Sequence, residues 1–147
     1  SNEAMNIPIL SLSEKLELPS YAYDGDAGLD LRSSLSITLK PFERATVPCG
    51  FALAIPDGCA GLVIPRSGLA ARHGISIVNA PGLIDSGYRG EIKVVLVNLD
   101  PESSFKVNVG DRIAQLMIVK IPSVSFSEVD TLPETSRGEE GFGSSGI

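Results

Sequence analysis

Apolar and polar residues alternate with a period of two along most of this chain. Leu35, Ile37 and Leu39 are separated by Ser36 and Thr38; Phe51, Leu53 and Ile55 alternate with small residues; Phe105, Val107 and Val109 repeat the pattern. Successive side chains of an extended backbone point to opposite faces, so this spacing predicts half-buried strands. The segments Ile92 to Leu99 and Ile113 to Val119 are nearly continuous in Val, Ile, Leu and Met. They predict strands covered on both faces, in the core or at a subunit interface. Turn signals fall between the strands at Lys40-Pro41, Pro48-Cys49-Gly50, Pro56-Asp57-Gly58, Pro81-Gly82, Asp100-Pro101 and Val109-Gly110-Asp111. Many short strands with Gly/Pro turns predict an all-β sandwich, jelly roll or barrel. One short helix is predicted over Ser67 to Arg72, with Ser67 as N-cap, Leu69, Ala70 and Ala71 as helix formers and Gly74 as the stop. From about Ser123 the composition shifts to Ser, Glu, Thr and Pro, and the last eleven residues, from Arg137, lack any pattern that would dock as a strand. A mobile C-terminal tail is expected.

Composition narrows the class. A length of 147 residues suits one domain with one core, large enough to fold without a disulfide or structural metal. The 43% hydrophobic content excludes disorder over the whole length, and no apolar run is long enough to span a bilayer. Ser1 to Ala4 precede Met5 and read as added residues outside the fold. With 12 Lys+Arg against 18 Asp+Glu the net charge is -6, which disfavours duplex nucleic acid as a partner. Any anionic ligand would have to be held locally. Cys49 and Cys59 are too far apart for a C-x-x-C motif, and one His, His73, cannot complete a Cys/His zinc site. The expectation is two buried, reduced thiols and a helix-end or surface histidine, in a cytoplasmic protein.

Three segments carry candidate chemistry. Pro65-Arg66-Ser67-Gly68 puts a cation, a hydroxyl and a glycine where the helix starts, either a phosphate cradle or an ordinary cap with a surface arginine. Asn79 to Glu91 has turn residues flanking a short apolar pair, which suggests a hairpin with Asp85 near its tip, as a base or simply as a turn former. Tyr88 there suits packing against a sugar or base, or a place on the sheet. In the tail, Gly138, Gly141, Gly143 and Gly146 surround Ser144 and Ser145, with Arg137 ahead of them and Phe142 as the one aromatic. Such a segment can wrap phosphate oxygens and stack a ring on a flat ligand, or remain a disordered tail. It does not match the Walker pattern.

Five motifs in order resemble the trimeric dUTP pyrophosphatase family: Ala27-Gly-Leu-Asp-Leu31, Pro65-Arg-Ser-Gly68, Gly82-Leu-Ile-Asp-Ser-Gly-Tyr-Arg-Gly90, Gly110-Asp-Arg-Ile-Ala-Gln-Leu116 and Arg137-Gly-Glu-Glu-Gly-Phe-Gly-Ser-Ser-Gly146. The match as a whole runs from about Ile7 to Gly146. The resemblance implies a jelly-roll-like distorted β-barrel subunit over residues 5–136, assembled as a homotrimer. Its three active sites would lie at subunit interfaces, each covered by residues 137–147 of a neighbour as a flexible lid. The implied reaction is hydrolysis of dUTP to dUMP and pyrophosphate with Mg²⁺, which keeps uracil out of DNA and supplies dUMP for thymidylate synthesis.

By the same resemblance Asp85 activates the attacking water, Asp30 and Gln115 hold the metal's waters and the α-phosphate, and Arg66, Ser67 and Gly68 cradle the phosphates. Main-chain groups from Gly82 through Leu83 and Ile84 to Asp85, with Asn79, pair with the uracil edge, and Lys93 lies close by. Tyr88 packs under the deoxyribose. Arg137, Gly143, Ser144 and Ser145 close on the terminal phosphate while Phe142 stacks on uracil. The family's tail often has Ser-Thr where this chain has Ser144-Ser145, a change that keeps both hydroxyls. The competing assignments are a dCTP deaminase-like enzyme of the same superfamily and a catalytically silent dUTP-binding regulatory trimer. No membrane partner and no direct nucleic-acid binding are expected.

Overall fold

The computed structural model of the chain describes residues 4–143 and 146. Its strands are β1 (Ile9–Ser11), β2 (Leu29–Arg32), β3 (Ile37–Leu39), β4 (Arg44–Leu53), β5 (Cys59–Ile64), β6 (Ile75–Ile77), β7 (Gly82–Ile84), β8 (Glu91–Asn98), β9 (Phe105–Val107) and β10 (Arg112–Lys120), with one helix, α1 (Ser67–His73). Two four-stranded antiparallel sheets form, in the orders β1-β4-β8-β6 and β2-β10-β5-β7, and β3 pairs with β9 as a separate ribbon. Their inward residues make one core. Val47, Phe51, Val94 and Leu96 of the first sheet pack with Leu31, Val63, Ala114 and Leu116 of the second, and Leu39 and Val107 of the ribbon join them. This two-sheet, jelly-roll-like arrangement is one of the all-β architectures that the alternating pattern allows and the one that the resemblance implies.

Within one subunit two strands are covered on one face only, which leaves the interface part of the expectation open, and one turn signal falls inside a strand. β8 is covered on one face, because Ile92, Val94, Leu96 and Asn98 are buried while Val95 and Val97 between them are half-exposed. β10 likewise buries Ile113, Ala114 and Leu116 and leaves Met117, Ile118 and Val119 half-exposed. A run of apolar residues cannot tell a strand covered twice from one whose outer face is left over. Pro48-Cys49-Gly50 does not end a strand: it lies inside β4, where the register against β8 shifts between Pro48 and Ala52 and Gly50 takes a φ of 82°. The extra residues are absorbed as a bulge that bends one long strand across the barrel.

Helix α1 ends as expected at Gly74, which adopts the left-handed conformation (φ 66°) that closes the last turn, with Arg72 and His73 at the negative end of the helix dipole. His73 packs its ring against Phe105, centroids 5.3 Å apart. The N-cap, however, is Arg66 and not Ser67, and no side chain caps the helix start. Cys49 and Cys59 are buried free thiols; burial, with the nearby Glu91 carboxylate, pushes the Cys49 thiol up to about 12. After Lys120 no helix or strand forms through residue 143, and residues 121–140 are all exposed. Among the described residues no helix is long and apolar enough to cross a membrane.

Candidate active site

The pairing of β2 with β10 sets Asp30 directly opposite Gln115. Both are half-buried. Gly28, just before β2, lies so close that a Cβ on it would sit 3.1 Å from the Gln115 Oε1, so the missing side chain is what allows the carboxamide to lie against β2. Arg66 reaches the same place from the start of α1 and donates a hydrogen bond to the Arg112 carbonyl (3.2 Å). Asp30, Arg66, Arg112 and Gln115 line one pocket of about 340 Å³, closed on its far side by the Tyr23–Asp26 turn. In that turn Tyr23 N–H donates to the Asp26 carboxylate (2.9 Å).

In an acidic chain this pocket balances two carboxylates, Asp26 and Asp30, with two guanidiniums, Arg66 and Arg112. The Arg66 guanidinium is held below the usual arginine range first by burial, then by Arg112, with smaller contributions from Arg72 and Arg32, while Asp30 opposes the shift. Like charges held together this way lose free energy when a polyanion enters, which is how an acidic protein can bind one. Ser67 is exposed and contributes no cap bond. A Cβ on Gly68 would lie 2.7 Å from an Arg72 guanidinium nitrogen, so Arg72 folds over the start of the helix.

A second pocket, of about 190 Å³, is lined by Leu83, Ile84, Asp85, Tyr88, Glu91, Ile92 and Lys93. Its residues do not form the hairpin expected from Asn79 to Glu91. β7 pairs only with β5, in one sheet, while β8 pairs with β4 and β6 in the other. The segment is therefore a crossover between sheets, and Asp85 sits where the chain leaves the first. Turn residues around a short apolar pair cannot distinguish these cases, because the ladder partner is remote in sequence. Asn79 is exposed beside Gly82, its Nδ2 3.5 Å from where a Gly82 Cβ would be. Lys93 is exposed on β8. The Asp85 carbonyl accepts from Tyr88 N–H (3.1 Å), and the Tyr88 hydroxyl donates to the Glu91 carbonyl (2.8 Å).

The two pockets share no residue. Asp30 faces Gln115, Gln115 faces Ile64 on β5, and Gly61 of β5 faces Ile84 on β7. Asp30 on one edge strand and Asp85 just past the other are thus separated by three strand spacings, about 14 Å, across the sheet and by a further ~10 Å along β5, from Ile64 to Gly61. The tail residues join neither group: Arg137 Nε donates to the Glu140 carbonyl (2.6 Å), and Phe142 is fully exposed. Ser144 and Ser145 lie outside the described residues. Gly28, Arg112 and the Tyr23–Asp26 turn are site components the sequence reading did not single out. The first two lie inside its motifs; the turn carries an Asp24-Gly25 signal, with Gly25 at a φ of 85°, but nothing local says that it closes this pocket.

A pocket where Arg66 and Arg112 stand beside a carboxylate–carboxamide pair suits a protein that binds an anionic ligand. Comparison with known proteins narrows that class: the dUTPase family model matches residues 14–146. The chain belongs to the dUTPase family. It is 54% identical over 142 residues to a deoxyuridine 5'-triphosphate nucleotidohydrolase of Thermobifida fusca, covering 97% of this chain and 79% of that protein. It is also 54% identical over 140 residues to the enzyme of the same description from Corynebacterium glutamicum, covering 95% and 94%. Among solved structures, a Staphylococcus bacteriophage 80alpha dUTPase with dUPNHPP superposes with a TM-score of 0.89 at 30% identity, over 98% of this chain and all of that one. A variant dUTPase from phage phi11 of S. aureus, described as coordinating a structural Mg(II) ion, gives 0.82 at 26% identity, over 88% of this chain and 100% of that one.

Proposed function

We propose that the protein hydrolyses dUTP to dUMP and pyrophosphate in a homotrimer whose sites are built between subunits. The observation that carries this is the arginine cluster beside the Asp30–Gln115 pair, in a chain of the dUTPase family. Water attacks the α-phosphorus, its proton passes to the Asp85 carboxylate, and the bond to the β-phosphate oxygen breaks, releasing pyrophosphate. Arg66, with Ser67 and Gly68, receives the charge on the phosphates. Gln115 orients the α-phosphate through its amide. Asn79 and the main chain of Gly82 to Asp85, near Lys93, read the uracil edge, and Tyr88 lies against the sugar. Residues 137–147 serve as the lid on the 5–136 domain, with Arg137, Gly143, Ser144 and Ser145 on the terminal phosphate and Phe142 on the base.

The distance between Asp85 and Asp30 supports the trimer. Within one chain the two stand too far apart to meet at a single α-phosphate, which supports a site to which a neighbour contributes Asp85. The exposed arm points the same way: Val124, Phe126 and Leu132 are 66%, 95% and 81% exposed, and a second copy is what removes such side chains from water.

Mg²⁺ fits the donors present. Asp30 and Gln115 offer hard oxygen ligands in one pocket, and among the described residues no group of three or more His, Cys, Asp or Glu could hold a metal alone. That suits an ion that keeps several waters and takes phosphate oxygens as ligands. When bound it would neutralise charge on the triphosphate. The cytoplasm, where thiols such as Cys49 and Cys59 stay reduced, is the compartment we assign, and there the reaction would keep uracil out of DNA and supply dUMP.

The test is pyrophosphate release from dUTP, dCTP, dTTP and UTP, with Mg²⁺ and again with chelator. Rapid release from dUTP alone, abolished by chelator, is expected. Silence with all four despite tight dUTP binding would overturn the hydrolase in favour of a regulatory trimer.

A further inference from the structure

We propose that Gly90 and Glu91 form the seat of the Tyr88 ring and are thereby positioning determinants of sugar specificity, an inference that rests on the sugar-packing role given to Tyr88 above. Tyr88 is 45% exposed on the wall of the Asp85 pocket. A ring that exposed has little packing to choose its rotamer. Two contacts hold it instead. The phenol hydroxyl donates to the Glu91 carbonyl (2.8 Å), and the ring edge lies directly on the main chain of Gly90. A Cβ at Gly90 would fall 2.5 Å from the Tyr88 hydroxyl oxygen, 2.7 Å from Cζ and 3.0 Å from Cε1.

Glu91 is itself anchored. Its carboxylate accepts from the Gly50 N–H (3.0 Å) in the β4 bulge, and its backbone starts β8 opposite Ala52. The chain from bulge to carboxylate to carbonyl to phenol thus ties the discriminating ring to the barrel.

The tie matters because excluding one hydroxyl from an apolar contact yields only about a hundredfold discrimination at best. A ring free to swing aside would forfeit most of that. Gly90 has no left-handed φ, so alanine fits the backbone there and it is the ring that must move. The effect of Gly90→Ala is therefore expected chiefly as a gain on UTP.

The experiment compares kcat/KM for dUTP and UTP in the full-length protein and in Tyr88→Ala, Gly90→Ala and the double variant. Gly90→Ala is expected to lower the dUTP/UTP ratio by about tenfold, and the double variant to match Tyr88→Ala alone, because both changes remove one wall. A Gly90→Ala ratio equal to that of the parent, or a further additive loss in the double variant, would overturn the proposal. If Tyr88→Ala relaxes selectivity and Gly90→Ala does not, the seat fails while the sugar-packing role stands. If Tyr88→Ala changes nothing, that role fails and takes the seat with it. Should Gly90→Ala not fold, Tyr88→Phe decides: loss of the phenol tether should reduce the ratio several-fold, and an unchanged ratio overturns the proposal.

Discussion

Asp85 gains its place from the point where the chain leaves β7, and Gln115 gains its place from the ladder of β10. The first is exposed on a crossover and the second half-buried between two strands. Their tolerance should differ accordingly. Asp85→Asn keeps the size and the turn but removes the base, so turnover should fall by ~10²-fold or more while dUTP still binds. Steady-state kinetics beside calorimetric binding checks this, and near-normal turnover would take Asp85 out of the role. Cys49 shows the contrast between a buried group and a working one: its thiol, pushed up to about 12 by burial and Glu91, stays protonated and inert at neutral pH. Its residue type alone says neither.

At the scale of elements, the strands repeat what alternation predicts, and the disagreements are instructive. Leu39 and Val107 are fully buried because β3 and β9 present one face to the core, as the period of two requires. The β4 bulge and the β7–β8 crossover were not legible, since Pro, Gly and Asp report a break in local geometry but not whether the ladder resumes or changes sheet. The arm beyond Lys120 is the element least explained by one subunit. Deleting Arg137 to Ile147 should reduce turnover strongly and leave the trimer intact, because the exposed apolar residues Val124, Phe126 and Leu132 lie before the cut. Sedimentation analysis beside activity tests it; a monomeric product would make the segment a structural strap and not a lid.

On the scale of the whole molecule, the separation of Asp85 from the Asp30–Gln115 pocket predicts behaviour that no single-chain site would show. Chains carrying Asp85→Asn and chains carrying Arg66→Ala should each lose most of their activity. Co-assembled in equal amounts, they should recover activity in about a quarter of sites, since each site draws the two residues from different copies. Refolding the two variants together and titrating active sites measures it. No recovery would mean that one chain supplies both. The same geometry accounts for an acidic protein binding a polyanion: Arg66 and Arg112 come from separate stretches of sequence, the fold brings them to one pocket, and Arg32 and Arg72 stand near enough to act on Arg66.

Sequence by itself determined the class of fold, the helix and its stop at Gly74, the buried thiols and the motifs that point to dUTPase, because each depends on local conformation or on residue type in order. Tertiary structure alone decided which strand faces which, that Arg66 and not Ser67 caps the helix, that Asp85 lies across the sheet from Asp30, and that Tyr88 rests on Gly90. Those are relations between residues set by ladder register and by the space left where a side chain is missing, and neither is written in the spacing of the chain.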